Sequence, residues 1–238
     1  MIQSFKKFLN EVFISPNNGS KYGQVIFLVG GAASGKSTAI AKYIDDSSYK
    51  IVNPDDVKIL VSKAADKGIK GFEDMKGIDI NTPSGSKKMH DFIYQNKLSS
   101  KKSKLITADP SRSVLPNLLF DRTFAWAGEF SKISRSLIRY GYKARDIHVI
   151  FVFTDINIAL DANRNRKRTL PDDVIVSTSK GAKARFLELF FGRAKGAPAN
   201  GDYYIIVNHG DKVIKVKSAG KRIDKAGLIA RKVASILQ

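Results

Sequence analysis

Eight consecutive residues, Gly30-Gly31-Ala32-Ala33-Ser34-Gly35-Lys36-Ser37, carry the most specific chemistry in the chain, because they are spaced G-x-x-x-x-G-K-[ST]. The glycines let backbone N–H groups turn inward around a β-phosphate, and a helix N-terminus behind them adds the positive end of its dipole. Lys36 then reaches the β- and γ-phosphates, and the Ser37 hydroxyl ligates magnesium. The motif implies ATP and Mg2+ as cofactors. It makes Gly30, Gly31, Ala32, Ala33, Ser34, Gly35, Lys36, Ser37 and Thr38 the expected nucleotide-binding set. Nucleotide binding alone does not choose between kinases, ATPases and GTPases, which share the loop.

Two further groups of residues favour a kinase. Asn53-Pro54-Asp55-Asp56-Val57-Lys58 offers an acid pair. A kinase needs a carboxylate near the acceptor hydroxyl to orient it and take its proton. The alternative is that either acid simply caps the helix that follows, and both readings hold together if one caps while the other faces the cleft. The run Asp161-Ala162-Asn163-Arg164-Asn165-Arg166-Lys167-Arg168 is rich in guanidinium groups. On a helix, a spacing of four puts Arg164 and Arg168 on one face, where they could neutralise charge on a γ-phosphoryl group in transfer. Arg185 is a weaker candidate for the same work. Asp121 is a candidate for holding magnesium through water.

Such residues need elements to position them. Gln24 to Val29 is a continuous apolar run, as expected for a strand buried on both faces of a parallel sheet. Lys36 to Ile44 reads as a helix. Lys50 to Val52 reads as a second strand ending at the acid pair, and Asn117 to Phe120 as a third ending at Asp121. His148 to Phe153 is a fourth strand, Tyr203 to Val207 a fifth, and Ala226 to Leu237 a closing helix. The alternation predicts an α/β fold of three layers with a mostly parallel five-stranded sheet. Ligands bind such sheets at the carboxyl ends of the strands, which is where the candidate residues fall. Residues 57–116 are too long for one crossover and read as an inserted, helical substrate lobe. Residues 157–185 read as a lid, and 192–201 as a flexible loop. Residues 1–20 read as an amphipathic helix and turn that packs on the domain. The expected kinase domain is thus 21–238. His148 and His209 read as structural, His90 as a possible substrate contact, and Trp126 as core.

Together these blocks resemble the zeta-toxin-like P-loop kinases, a group similar to polynucleotide kinases and to phage kinases acting on modified bases in DNA. The resemblance rests on the phosphate loop, the acid after strand two, Leu119-Phe120-Asp121-Arg122-Thr123 and the arginine-rich segment. It implies a three-layer P-loop kinase fold and transfer of phosphate to a hydroxyl. In that family an Asp followed two residues on by an aromatic and then a basic residue acts as base. Aligning Lys58 with that basic residue gives Asp55 the role, but Val57 replaces the aromatic, so Asp55 and Asp56 both remain open. The resemblance also implies that Arg122 and Thr123 lie near the acceptor. The start Ser4-Phe5-Lys6-Lys7-Phe8-Leu9-Asn10-Glu11 resembles those of many proteins of large tailed bacteriophages.

Composition bounds the partners. The chain has no cysteine, which excludes disulfides and thiolate metal sites. No run is apolar enough to span a bilayer, and the expected location is the cytoplasm, including that of a phage-infected bacterium. The net charge is +19 and uneven: 11 basic against 9 acidic residues up to residue 80, then 30 against 13. A basic surface attracts polyanions, so the expected acceptor is a hydroxyl on nucleic acid, at a strand end or on a modified base. Two other functions fit the same residues: a kinase of nucleotide sugars or small nucleotides, and a non-catalytic nucleic-acid-binding protein with an ATP site.

Overall fold

The computed structural model describes residues 14, 16, 21–44, 46–98, 114–166, 169–191, 198–208, 212–218 and 221–222. The parallel part of its sheet comprises β1 (Val25–Val29), β2 (Tyr49–Val52), β3 (Asn117–Asp121), β4 (Ile147–Phe153) and β5 (Tyr203–Val207), in the spatial order β2-β3-β1-β4-β5. Every residue of β1 and β3 is buried, as two-sided burial of a central parallel strand requires.

Alternation along β1 sorts the core into two layers. Val25, Phe27 and Val29 join Phe124, Phe130, Leu137, Phe186 and Phe190 on one face, which is covered by α4 (Glu129–Arg139) and α6 (Asp172–Phe190). Phe27 stacks on Phe120 there, with ring centroids 5.0 Å apart. Ile26 and Leu28 pack on the other face with Ala39, Ile40 and Tyr43 of α1 (Lys36–Tyr43). Ile14 is buried in the same layer, and its N–H donates to the Tyr43 carbonyl at 2.6 Å.

A third cluster stands apart from both layers. Val57, Val61 and Ala65 of α2 (Pro54–Asp66) close on Met89 and Ile93 of α3 (Pro83–Gln95), with Met75 between them. Each helix begins on a side-chain cap followed by proline. Asn53 accepts from the Asp55 N–H, and Thr82 accepts from the Gly85 N–H. A proline suits the first turn, where its missing N–H would have no helical partner.

The sheet is larger than the five strands expected. β6 (Lys212–Ser218) and β7 (Lys221–Arg222) extend it in antiparallel sense beyond β5. Lysines alternate with valine and isoleucine in Lys212-Val213-Ile214-Lys215-Val216-Lys217, the pattern of a strand near a sheet edge; read for charge alone, it looks like a basic patch. Trp126 is also not core: it is 67% exposed, while Phe124 fills the interior instead. The segments 1–13 and 226–237, expected to be helical, and His209 lie outside the described residues. Among the described residues no helix is long and apolar enough to cross a membrane.

Candidate active site

The phosphate loop runs from β1 into α1 at the carboxyl ends of the strands. Its turns need left-handed backbone: Gly35 has φ 79°, and Ala33 adopts φ 58° despite its side chain. Gly35 could carry no side chain, since a Cβ would collide with the Asn208 amide. A second layer of side chains fixes the loop from behind. Thr154 Oγ1 and Asn208 Nδ2 both donate to the Ser34 carbonyl, at 2.7 and 3.1 Å. The Ala32 N–H donates to Thr178 Oγ1 at 3.1 Å, which brings α6 against the loop. Lys36 folds back over the cradle, its Nζ donating to the carbonyls of Gly30 at 3.0 Å and Gly31 at 2.9 Å. Ser37 and Thr38 are exposed in the first turn of α1.

Burial lowers the Lys36 pKa; Asp121 and Asp55 oppose that shift by favouring the ammonium, and Arg166 adds to it. Those four residues therefore share one electrostatic field. Asp121 shows the complementary behaviour. Burial raises its carboxyl pKa, Lys36 pulls it down, and Asp55 and Asp56 push it up. Asn53 Nδ2 donates to Asp121 Oδ2 at 3.2 Å, while Asp121 Oδ1 is buried without a hydrogen-bond partner. Asp55 is exposed at the start of α2 and pairs with Lys58 at 3.0 Å.

The arginine-rich run is not one helix. α5 (Ile156–Arg164) stops at Arg164, Asn165 and Arg166 follow in a turn, and Arg168 lies outside the described residues. Asn163 is buried and clamps the following turn, donating to the Leu170 carbonyl at 2.8 Å and accepting from the Leu170 N–H at 3.0 Å. Arg164 pairs with Asp161 at 2.9 Å and Asp172 at 3.8 Å on the surface. Arg166 is the guanidinium that acts on Lys36. Arg185 pairs with Glu188 on α6.

The remaining candidates separate by place. Arg122 follows Asp121 directly and donates to Glu129 at 2.9 Å; Thr123 is half-buried beside it. His90 is exposed on α3, 3.8 Å from Asp91.

A strand–phosphate loop–helix unit, parallel order 2-3-1-4-5, and acids at the ends of the second and third strands now stand together. This is the fold of the P-loop kinases. Among solved structures, AvrRxo1-ORF1:ORF2 with ATP aligns with 97% of this chain and 71% of its own at a TM-score of 0.62 and 13% identity. The same complex with sulphate ions gives 0.60 at 12% identity, covering 97% and 71%. The PezAT toxin–antitoxin system of Streptococcus pneumoniae gives 0.49 at 15% identity, covering 90% and 78%. No family model and no curated protein matches the sequence. The likeness to zeta-toxin-like P-loop kinases thus holds at the level of the fold.

The magnesium that this fold implies can be tested against the residues. Asp121 presents a buried carboxylate oxygen with no protein partner beside the phosphate loop, and Ser37 presents a hydroxyl at the first turn of α1. Among the described residues no three acidic or histidine side chains converge on one point. That suits a small hard cation which keeps water and takes substrate phosphates rather than a protein cage. The donors fit.

Thr154, Thr178 and Asn208 carry no motif signal, whereas Asn53 and Arg166 lie inside the acid-pair segment and the arginine-rich run without being singled out there.

Proposed function

We propose that the protein is a kinase that uses ATP and magnesium to phosphorylate a hydroxyl group on nucleic acid, at a strand end or on a modified base. The observation that carries this reading is the Asn53 side chain, which holds Asp121 at 3.2 Å and the Asp55 N–H at 2.9 Å and so links two acids to the strand ends beside the phosphate loop. A protein that merely held ATP would have no use for a second acid, Asp55, linked to Asp121 at the phosphate loop.

In this reading the loop amides and the α1 N-terminus hold the β-phosphate, and Lys36 leaves the Gly30 and Gly31 carbonyls for the β- and γ-phosphates. Ser37 and Asp121 would hold the magnesium, which when bound neutralises charge on the transferred group. Asp55 or Asp56 accepts the proton of the acceptor hydroxyl as its oxygen bonds to the γ-phosphorus and ADP departs. The action of Asp55 on Lys36 favours Asp55. Arg166, with Arg164 and Arg168 from the same run, supplies positive charge to the phosphoryl oxygens. The α2–α3 lobe, residues 54–98, carries the acids at its inner end and is the acceptor side; residues 157–185 serve as lid.

The acceptor class rests on the excess of 30 basic over 13 acidic residues beyond residue 80. The test is γ-labelled ATP incubated with DNA, RNA, nucleosides, nucleotide sugars and protein, with Lys36→Ala as control. Label on nucleic acid, absent in the control, is the expected result. Label only on nucleotide sugars or small nucleotides would move the function to a small-molecule kinase. No transfer to any acceptor would remove the kinase reading.

A further inference from the structure

We infer that Trp126 and the cations of α4 form a binding surface for single-stranded nucleic acid, the indole stacking on a base and Lys132, Arg135 and Arg139 following the phosphate backbone. This deepens the reading above and rests on it for the identity of the acceptor.

An indole at 67% exposure is unusual for so apolar a group, and its base is rigid. Phe124 is fully buried and held at φ 49°. Ala125 is buried against α6 so closely that a Cβ on Gly181 would lie 2.6 Å from the Ala125 carbonyl oxygen. On the other side, the Arg122–Glu129 ion pair at 2.9 Å ties the ends of the segment together. Trp126 is therefore presented to solvent from a braced turn five residues beyond Asp121. A flat, fixed aromatic face of this kind stacks any base without regard to sequence.

Helix α4 begins three residues later. Lys132, Arg135 and Arg139 fall on one face at spacings of three and four, and with Ile138 and Pro198 they line a cavity of about 380 Å³. Lys58, Lys87, Arg122, Arg164, Arg185 and Lys215 each pair with a carboxylate. Among the described residues, Lys132, Arg135 and Arg139 pair with none, and Arg135 donates only to the Ser131 carbonyl of its own helix. Unpaired cations in a row on the helix that follows an exposed aromatic match a strand of phosphates bearing unstacked bases. A duplex, whose bases are stacked on one another, cannot use the indole.

Trp126 is the sole tryptophan, so its fluorescence reports on this surface directly. Wild-type protein is titrated without ATP with a single-stranded oligodeoxythymidylate, the same length of abasic strand, and a duplex. The single strand should quench the emission, and the abasic strand and duplex should not. Trp126→Ala should weaken single-strand binding, followed by anisotropy of a labelled strand, by roughly 10-fold. The combined variant Lys132→Ala, Arg135→Ala, Arg139→Ala should flatten the log–log salt slope by about 2 units. All four side chains are exposed, so each variant should melt with the wild type. Emission unchanged at saturation, or affinity unchanged in both variants, would overturn the inference. Label transfer to the same strands is measured in parallel. Strands that quench but take no label would leave this surface and remove the nucleic-acid acceptor. Strands that take label with neither quenching nor loss in the variants would leave the acceptor and remove this surface.

Discussion

Asn53 links the two acidic strand ends of the site: its Nδ2 donates to Asp121 Oδ2 at 3.2 Å, and its Oδ1 accepts from the Asp55 N–H at 2.9 Å. One side chain therefore starts helix α2, aims the acids in its first turn, and satisfies half of the Asp121 carboxylate. The geometry of the acceptor side and of the phosphate side depends on the same amide.

Replacing that amide separates the two tasks. Asn53→Ala should cost about 1 kcal/mol of stability through the lost cap and should also lower turnover. Asn53→Ser keeps a capping hydroxyl but is too short to reach Asp121, so it should recover the stability and not the turnover. Urea unfolding and label transfer on both variants check this; a serine variant with full activity would reduce Asn53 to a cap.

The acid pair should divide unequally. Asp55→Asn is expected to lower the rate of transfer by roughly 10²-fold or more, the scale of lost acid–base catalysis, with ATP affinity little changed. Asp56→Asn should be milder, because Asp55 is the one of the pair that acts on Lys36. Single-turnover rates with each variant decide the matter; a dead Asp56→Asn beside an active Asp55→Asn would reverse the assignment.

What the sequence revealed and what it concealed follow one physical rule. The phosphate loop, the buried runs of β1 and β4, and the acids at strand ends are local patterns, each complete within ten residues. The contacts that brace the loop are not. Asn208 reaches Ser34, and Thr178 reaches Ala32, across 174 and 146 residues, and neither pair has any local signature. Trp126 misled because hydrophobicity predicts burial only on average; with Phe124 and Ala125 buried beside it, the backbone turns the next side chain outward. Lys215 lies in a lysine-rich strand, yet it pairs with Asp202 at 2.8 Å and lies over the Tyr204 ring, contacts that its own segment does not signal.

The arginines should differ in kind. Arg166→Ala should lower the rate of transfer far more than it weakens ATP binding, since charge facing the γ-phosphoryl group works mainly in the transition state. Arg164→Ala removes a guanidinium already engaged by Asp161 and Asp172, and its loss should be the smaller. The comparison of rate with nucleotide affinity in both variants checks this. Equal losses of rate and affinity in Arg166→Ala would mean that it binds only ground-state phosphate.

His148 should make stability depend on pH in a window away from the active site. It is wholly buried in β4. Its Nδ1 accepts from the Asp202 N–H at 2.9 Å, so the ring is neutral with the proton on Nε2, facing Gln24 Oε1 at 2.8 Å. A second proton would have to displace the Asp202 contact. Burial lowers the pKa from 6.5 to about 4, Asp202 opposing and Lys215 reinforcing the shift. Between those values the unfolded chain binds the proton and the folded chain does not. Stability from this group is therefore present above pH 6.5 and is lost as pH falls towards 4, by about 3 kcal/mol in all. Carboxylates titrate in the same range, so the measurement is the difference in unfolding free energy between wild type and His148→Gln from pH 7.5 to 4. The wild type should lose about 3 kcal/mol relative to the variant. A difference that stays constant with pH would show that the imidazole takes its second proton in the folded state as readily as in the unfolded chain.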